Sequence, residues 1–315
     1  MSSGKIHSFY LQSKLLRSNP LKNSTKRQVV VYTPPEFSKK EQLPIIYFLP
    51  GFGSGPEKWL NKDFPGYRLL ELLILNKTIP RVILCCIDGM TRFGGSQYID
   101  SALNGPFAQH IIKEIVPTVQ KKFNTLNQNI ICGHSSGGFG ALHLASRYPD
   151  VFKRCASFAG DLYFELTHKN MLSDFYNKYQ KGVFGTSLNE CLKLKAEDYI
   201  LGLSAAYTPK LSLKTWKMEF PINVSTGEIN TTVWNKWLQL DPVETVPQDK
   251  AGLKKLESIY LSAGTSDQFA LHIGANVFHE RCKKHKIKTT CEFHDGNHSL
   301  LIRQFEAGIK HLLLA

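Results

Sequence analysis

Five consecutive residues, Gly133-His134-Ser135-Ser136-Gly137, carry the clearest chemical signal in the chain. A serine with glycine two places away on either side suits a sharp strand-to-helix turn. That turn holds the hydroxyl clear of the backbone in a strained conformation and leaves no room for larger neighbours. Gly138 and Gly140 extend the run of small residues. A serine hydroxyl is a poor nucleophile until an imidazole takes its proton, and that imidazole needs a carboxylate to fix its tautomer. For a turn of this type the partners follow in the chain order acid, then histidine. Asp267, in Gly264-Thr265-Ser266-Asp267, and His298, in Asp295-Gly296-Asn297-His298, meet that order. Asp161 is the rival acid and His294 the rival base. The same five residues would also serve a plain turn whose serine only caps the next helix.

Chemistry at an acyl carbon also needs donors aimed at the oxyanion that develops there, and losing one costs about 3 kcal/mol of barrier. The turn offers the backbone N–H of Ser136. A second donor should come from the loop after an early strand, and Leu49-Pro50-Gly51-Phe52-Gly53 stands in that place, with the Phe52 N–H as the candidate. The loop lacks the GxxxxGK pattern of a nucleotide-binding loop.

These residues need elements to position them, and the apolar patterning supplies a set. Short apolar runs predict strands at Gln28 to Tyr32, Ile45 to Leu49, Val82 to Ile87, Asn129 to Cys132, Cys155 to Ala159, Ser258 to Ala263 and Thr289 to His294. Most are continuous rather than alternating, as in parallel strands covered on both faces. Between them, Phe107, Ile111, Ile112, Ile115, Val116 and Val119 recur at helical spacing, as do Ala141, Leu142 and Ala145, and Pro117 should break the first of these helices. The fold class expected is α/β, an α/β-hydrolase fold with a mostly parallel central sheet and helices on both faces. A strand precedes the serine turn and a helix follows it, while Asp267 and His298 fall just past strand ends, where open α/β sheets place their sites. One domain over 1–315 is expected, with a cap-like insertion at 162–253 that interrupts the alternation and carries Trp216, Trp234 and Trp237. Its position suggests that it lies over the pocket, with Trp59 and the Arg92 to Gln97 loop as further candidates for the pocket walls.

Composition narrows the function classes. With 42% hydrophobic and 21% charged residues among 315, the chain is an ordinary globular one with a sizeable core, and long disorder is not expected. Lys and Arg outnumber Asp and Glu by 39 to 26, a net +13. The basic residues are scattered, and the densest run, Lys283-Lys284-His285-Lys286, fits a helix end. Nucleic acid is therefore not an expected partner. Seven cysteines form no CxxC pair and no metal-ligand spacing, so buried thiols are expected, with no metal and no cofactor. The first 21 residues lack the apolar run of a signal peptide, and no segment reaches membrane-span length, which gives a cytoplasmic reading. A homo-oligomer is left open.

The chain resembles the putative esterase family, which includes S-formylglutathione hydrolases, feruloyl and acetylxylan esterases and mycolyltransferases. The resemblance rests on Asn19-Pro20-Leu21, Tyr32-Thr33-Pro34-Pro35 and Gly51-Phe52-Gly53. It continues through Asp88-Gly89-Met90-Thr91-Arg92-Phe93-Gly94-Gly95-Ser96, the serine turn, Ala159-Gly160-Asp161 and Gly264-Thr265-Ser266-Asp267. Pro50 stands where many members have histidine, and Ser136 where many have methionine. The resemblance implies a serine esterase acting on a small-molecule ester, with Ser135, Asp267 and His298 as its triad. The alternatives are a thioesterase or an acyltransferase using the same residues, or a non-catalytic binding module on the same fold.

Overall fold

Runs of β-branched and aromatic residues bounded by turn formers build the centre of the molecule. The structure is a computed structural model and describes residues 3–57, 66–210, 216–299 and 302–314. Eight strands form one sheet: β1 (Lys5–Gln12), β2 (Lys26–Thr33), β3 (Ile45–Leu49), β4 (Ile83–Ile87), β5 (Asn129–His134), β6 (Phe152–Phe158), β7 (Ser258–Gly264) and β8 (Thr290–His294). Their spatial order is β1-β2-β4-β3-β5-β6-β7-β8. The β1/β2 and β2/β4 pairs are antiparallel and the rest are parallel.

Every residue of β3, β4, β5 and β7 is buried, which is why these strands read as unbroken apolar runs. All seven predicted strands are present, with ends shifted by up to three residues in β6. The unpredicted strand, β1, lies at the sheet edge, and exposed and half-buried residues alternate along most of it. Its polar residues dilute the apolar signal that marks the inner strands.

Helices cover both faces. α1 (Gly66–Leu75) and α11 (Ile302–Leu314) pack Leu70, Leu73, Phe305 and Ile309 against Ile46, Phe48 and Cys86. On the other face lie a helical segment α2 (107–123) and helix α3 (Ser136–Arg147), joined by α9 (Pro242–Leu253) and α10 (Leu271–Lys284) over Ile45, Tyr47 and Cys85. The adjacent Cys85 and Cys86 thus point into opposite layers, as strand geometry requires. Six cysteines are buried and Cys291 is half-buried. Segment α2 runs as Phe107–His110, a wider π-helical turn at Ile111–Ile115, then Val116–Phe123. The break expected at Pro117 falls just before it, where the helix must accommodate a residue with no N–H.

Between β6 and β7 the chain forms α4 (Phe164–Thr167), α5 (Leu172–Gln180), α6 (Leu188–Leu194), α7 (Tyr199–Tyr207) and α8 (Thr231–Leu238) before α9. A second apolar cluster of Phe164, Phe175, Phe184, Trp216, Trp234 and Trp237 ties these helices to Phe139 of α3 and to Phe93. Val243 and Val246 of α9 pack instead into the layer on the main sheet.

Candidate active site

Sheet register determines where the site can form. β3 and β5 are parallel neighbours with Leu49 opposite Gly133, so the loops leaving their carboxyl ends start side by side. Gly51 consequently lies against the serine turn, and a Cβ added to it would sit 3.3 Å from the Ser135 Cβ. Gly137 permits still closer packing, since a Cβ there would fall 1.8 Å from the Leu49 carbonyl oxygen. Between β5 and α3, Ser135 adopts φ 55° and ψ −124°, a conformation that costs an L-residue of order 1–3 kcal/mol. Its neighbours hold it there. The Ser135 N–H donates to the Phe158 carbonyl at 2.9 Å, and its own carbonyl accepts from the N–H groups of Gly138 and Phe139 at 2.8 and 3.1 Å.

The turns after β7 and β8 are built against one another. Thr265 N–H donates to the His294 carbonyl and Ser266 N–H to the Gly296 carbonyl, both at 2.9 Å. This pairing brings Asp267 and His298 together. Asp267 Oδ1 accepts from the Phe269 N–H at 2.8 Å, and Oδ2 lies 2.9 Å from His298 Nδ1. An ionised carboxylate only accepts, so the imidazole proton belongs on Nδ1 and Nε2 is left as the acceptor. His298 Nε2 is 3.1 Å from Ser135 Oγ. The Asp267 side chain is fully buried and that of His298 is 17% exposed, so the chain of hydrogen bonds runs from the interior to the surface of a cavity.

That cavity has a volume of about 420 Å³ and is lined by Gly51, Phe52, Ser135, His298, Phe269 and Asp161, among others. The loop after β3 contributes Phe52. Its turn hydrogen bonds run from Gly53 N–H to Gly94 O and from Ser54 N–H to Gly51 O, leaving the Phe52 N–H out of them. Ser136 opens α3, where the first N–H groups have no partner within the helix. Tyr98 fixes the loop from below by donating to the Pro50 carbonyl at 2.6 Å. The arrangement is capable of nucleophilic attack by a serine on an acyl carbon, with proton transfer through an imidazole.

The two rivals take other places. Asp161 accepts from Tyr199 Oη at 2.8 Å and from Ser136 Oγ at 3.4 Å, both at Oδ2, while Nδ1 of His298 faces Asp267. His294 ends β8, and its backbone rather than its ring supports the site. Trp59 lies outside the described residues. The Arg92 to Gln97 loop does not line the cavity, contrary to expectation. It serves one layer further out: Gly94 and Gly95 form a shelf for the Phe52 ring, and Gln97 Nε2 donates to Ser136 Oγ at 3.2 Å.

Residues without a sequence signal also contribute. Met171 and Tyr199, both within 162–253, line the cavity, and the Tyr199 ring meets Phe52 edge-on at 4.9 Å. His134, which looks like a variable position of the turn, donates through Nε2 to the His298 backbone carbonyl at 2.8 Å. Burial, with the nearby His298, pushes its pKa down to about 3, so it is neutral near pH 7. Its position next to Ser135 was the available clue. Among the described residues, no group of three or more His, Cys, Asp or Glu is placed to hold a metal ion.

The family model described as Putative esterase matches residues 21–300. Solved structures align over nearly all of the chain. A ferulic acid esterase is 16% identical with a TM-score of 0.66, covering 99% of this chain and 97% of its own. The S-formylglutathione hydrolase of Agrobacterium tumefaciens is 17% identical with a TM-score of 0.62 and the same coverage. The fluorophosphonate-binding serine hydrolase F of Staphylococcus aureus is 15% identical with a TM-score of 0.64, covering 99% and 98%. At such identities the likeness establishes the fold, that of the α/β-hydrolases.

Proposed function

From the premise that this chain belongs to the Putative esterase family, we propose that it is a serine ester hydrolase acting through Ser135 on a small-molecule ester. The observation that carries this reading is the hydrogen-bonded line from Ser135 through His298 to Asp267 at the wall of one cavity. Ser135 Oγ attacks the carbonyl carbon while its proton passes to His298 Nε2, and Asp267 stabilises the resulting imidazolium. The carbonyl electron pair becomes an oxyanion held by the N–H groups of Phe52 and Ser136. Collapse expels the alcohol, which takes the proton from His298. Water then repeats the sequence on the acyl-enzyme, with His298 as base, and releases the acid. The cavity volume falls within the range of small-molecule sites. Segment 162–253 acts as a cap whose Met171 and Tyr199 bound the substrate.

The test is hydrolysis of p-nitrophenyl acetate and butyrate by the purified protein and by Ser135→Ala. The variant should fall by about 10³-fold or more. Equal rates would contradict the assignment.

A further inference from the structure

The cavity is also lined by a carboxylic acid residue, Asp161, which the hydrolysis leaves idle. Asp161 follows β6 and is only 4% exposed, yet it lines the same cavity as Ser135 and His298. Tyr199 and Ser136 both donate to Oδ2, which leaves Oδ1 for a ligand. Neutral hydroxyl donors orient a carboxylate without cancelling its charge, and no Lys or Arg lines the cavity among the described residues. The lining His134 is neutral near pH 7. Burial raises the Asp161 pKa to about 6, which still leaves it ionised at pH 7.5.

We propose that Asp161 makes this pocket charge-selective, favouring esters with a cationic or hydrogen-bond-donating group near the scissile carbonyl and rejecting those with a sulfonate, phosphate or carboxylate there. This rests on the ester-hydrolase reading. A buried carboxylate with no Lys or Arg among the lining residues gains from a donor or cation and is repelled by a second anion, in surroundings that screen charge far less than water does. The chain as a whole carries +13, which at long range attracts anions. A preference for cations must therefore arise inside the pocket.

Three acetates of similar bulk test this: acetylcholine, its neutral isostere 3,3-dimethylbutyl acetate, and 2-acetoxyethanesulfonate, followed by acid release at pH 7.5 in 0.15 M salt. The wild type should show kcat/KM in the order cation, neutral, anion, with at least about tenfold between the ends. Asp161→Asn should bring that ratio towards one, whatever its general rate. A wild-type ratio at or below one overturns the proposal even if no variant folds. So does a ratio unchanged in Asp161→Asn. Hydrolysis of the neutral ester without charge order defeats only the pocket assignment. Cleavage of p-nitrophenyl acetate with none of the three acetates cleaved also overturns the pocket assignment, and failure on p-nitrophenyl acetate as well defeats the hydrolase reading.

Discussion

The role proposed for Ser135 depends on what surrounds it, and each partner makes a separable prediction. Replacing Asp267 by Asn puts an amide beside His298 Nδ1, where its NH₂ can favour the tautomer with the proton on Nε2, facing the serine. The expected result is a fall in kcat of about 10³–10⁴-fold on p-nitrophenyl butyrate, with a much smaller change in KM. A loss below tenfold would point to another acid. His134 acts through its hydrogen bond to the His298 carbonyl. His134→Phe keeps a ring and removes the donor, so kcat should drop about three- to tenfold, the worth of one hydrogen bond, while KM holds. A KM-only effect would place His134 in substrate binding instead.

The elements succeed as positioning devices because glycines let them approach closely. α3 touches β3 through Gly137, where a Cβ would meet the Leu49 carbonyl oxygen at 1.8 Å. Backbone cannot move aside as a flexible side chain can. Gly137→Ala should therefore destabilise the fold by about 3 kcal/mol or more, seen as a lower urea midpoint, and an unchanged midpoint would refute the close approach. This part of the site was legible in the sequence: Gly133, Ser135 and Gly137 are local, and the order of acid and histidine follows from strand ends. Tyr199 was not, because its contact with Asp161 spans 38 residues and depends on how α7 docks. The strand β1 escaped for the opposite reason, its edge position leaving a polar alternation with weak apolar contrast. The Arg92 to Gln97 loop lies behind the cavity wall and not in it, a distinction that residue type alone does not make.

The whole molecule must bury titratable groups to build the second apolar cluster, and that shows in its response to acid. His168 is completely buried beside Phe164, Tyr199 and Trp237, and burial pushes its pKa down to about 3. Above about pH 6.5 the ring is neutral in both folded and unfolded chains. As pH falls below that, unfolded chains take up a proton that the folded chain refuses, so stability is lost. Asp161, raised to about 6, and Asp241, raised to about 7, act in the other direction: their burial costs stability as pH rises through the interval from 3.8 to those values. A variant comparison isolates the histidine. The stability of His168→Phe relative to wild type should improve by about 2 kcal/mol between pH 7 and pH 5 in urea melts, and a constant difference would show that the ring is not held neutral. The same folding event unites Ser135 with His298, 163 residues away. Labelling with a fluorophosphonate, followed by peptide mass mapping, therefore reads the assembled site directly. The folded chain should carry one adduct, on Ser135, absent after unfolding in urea and absent from His298→Ala; no adduct, or an adduct on another serine, would contradict the account.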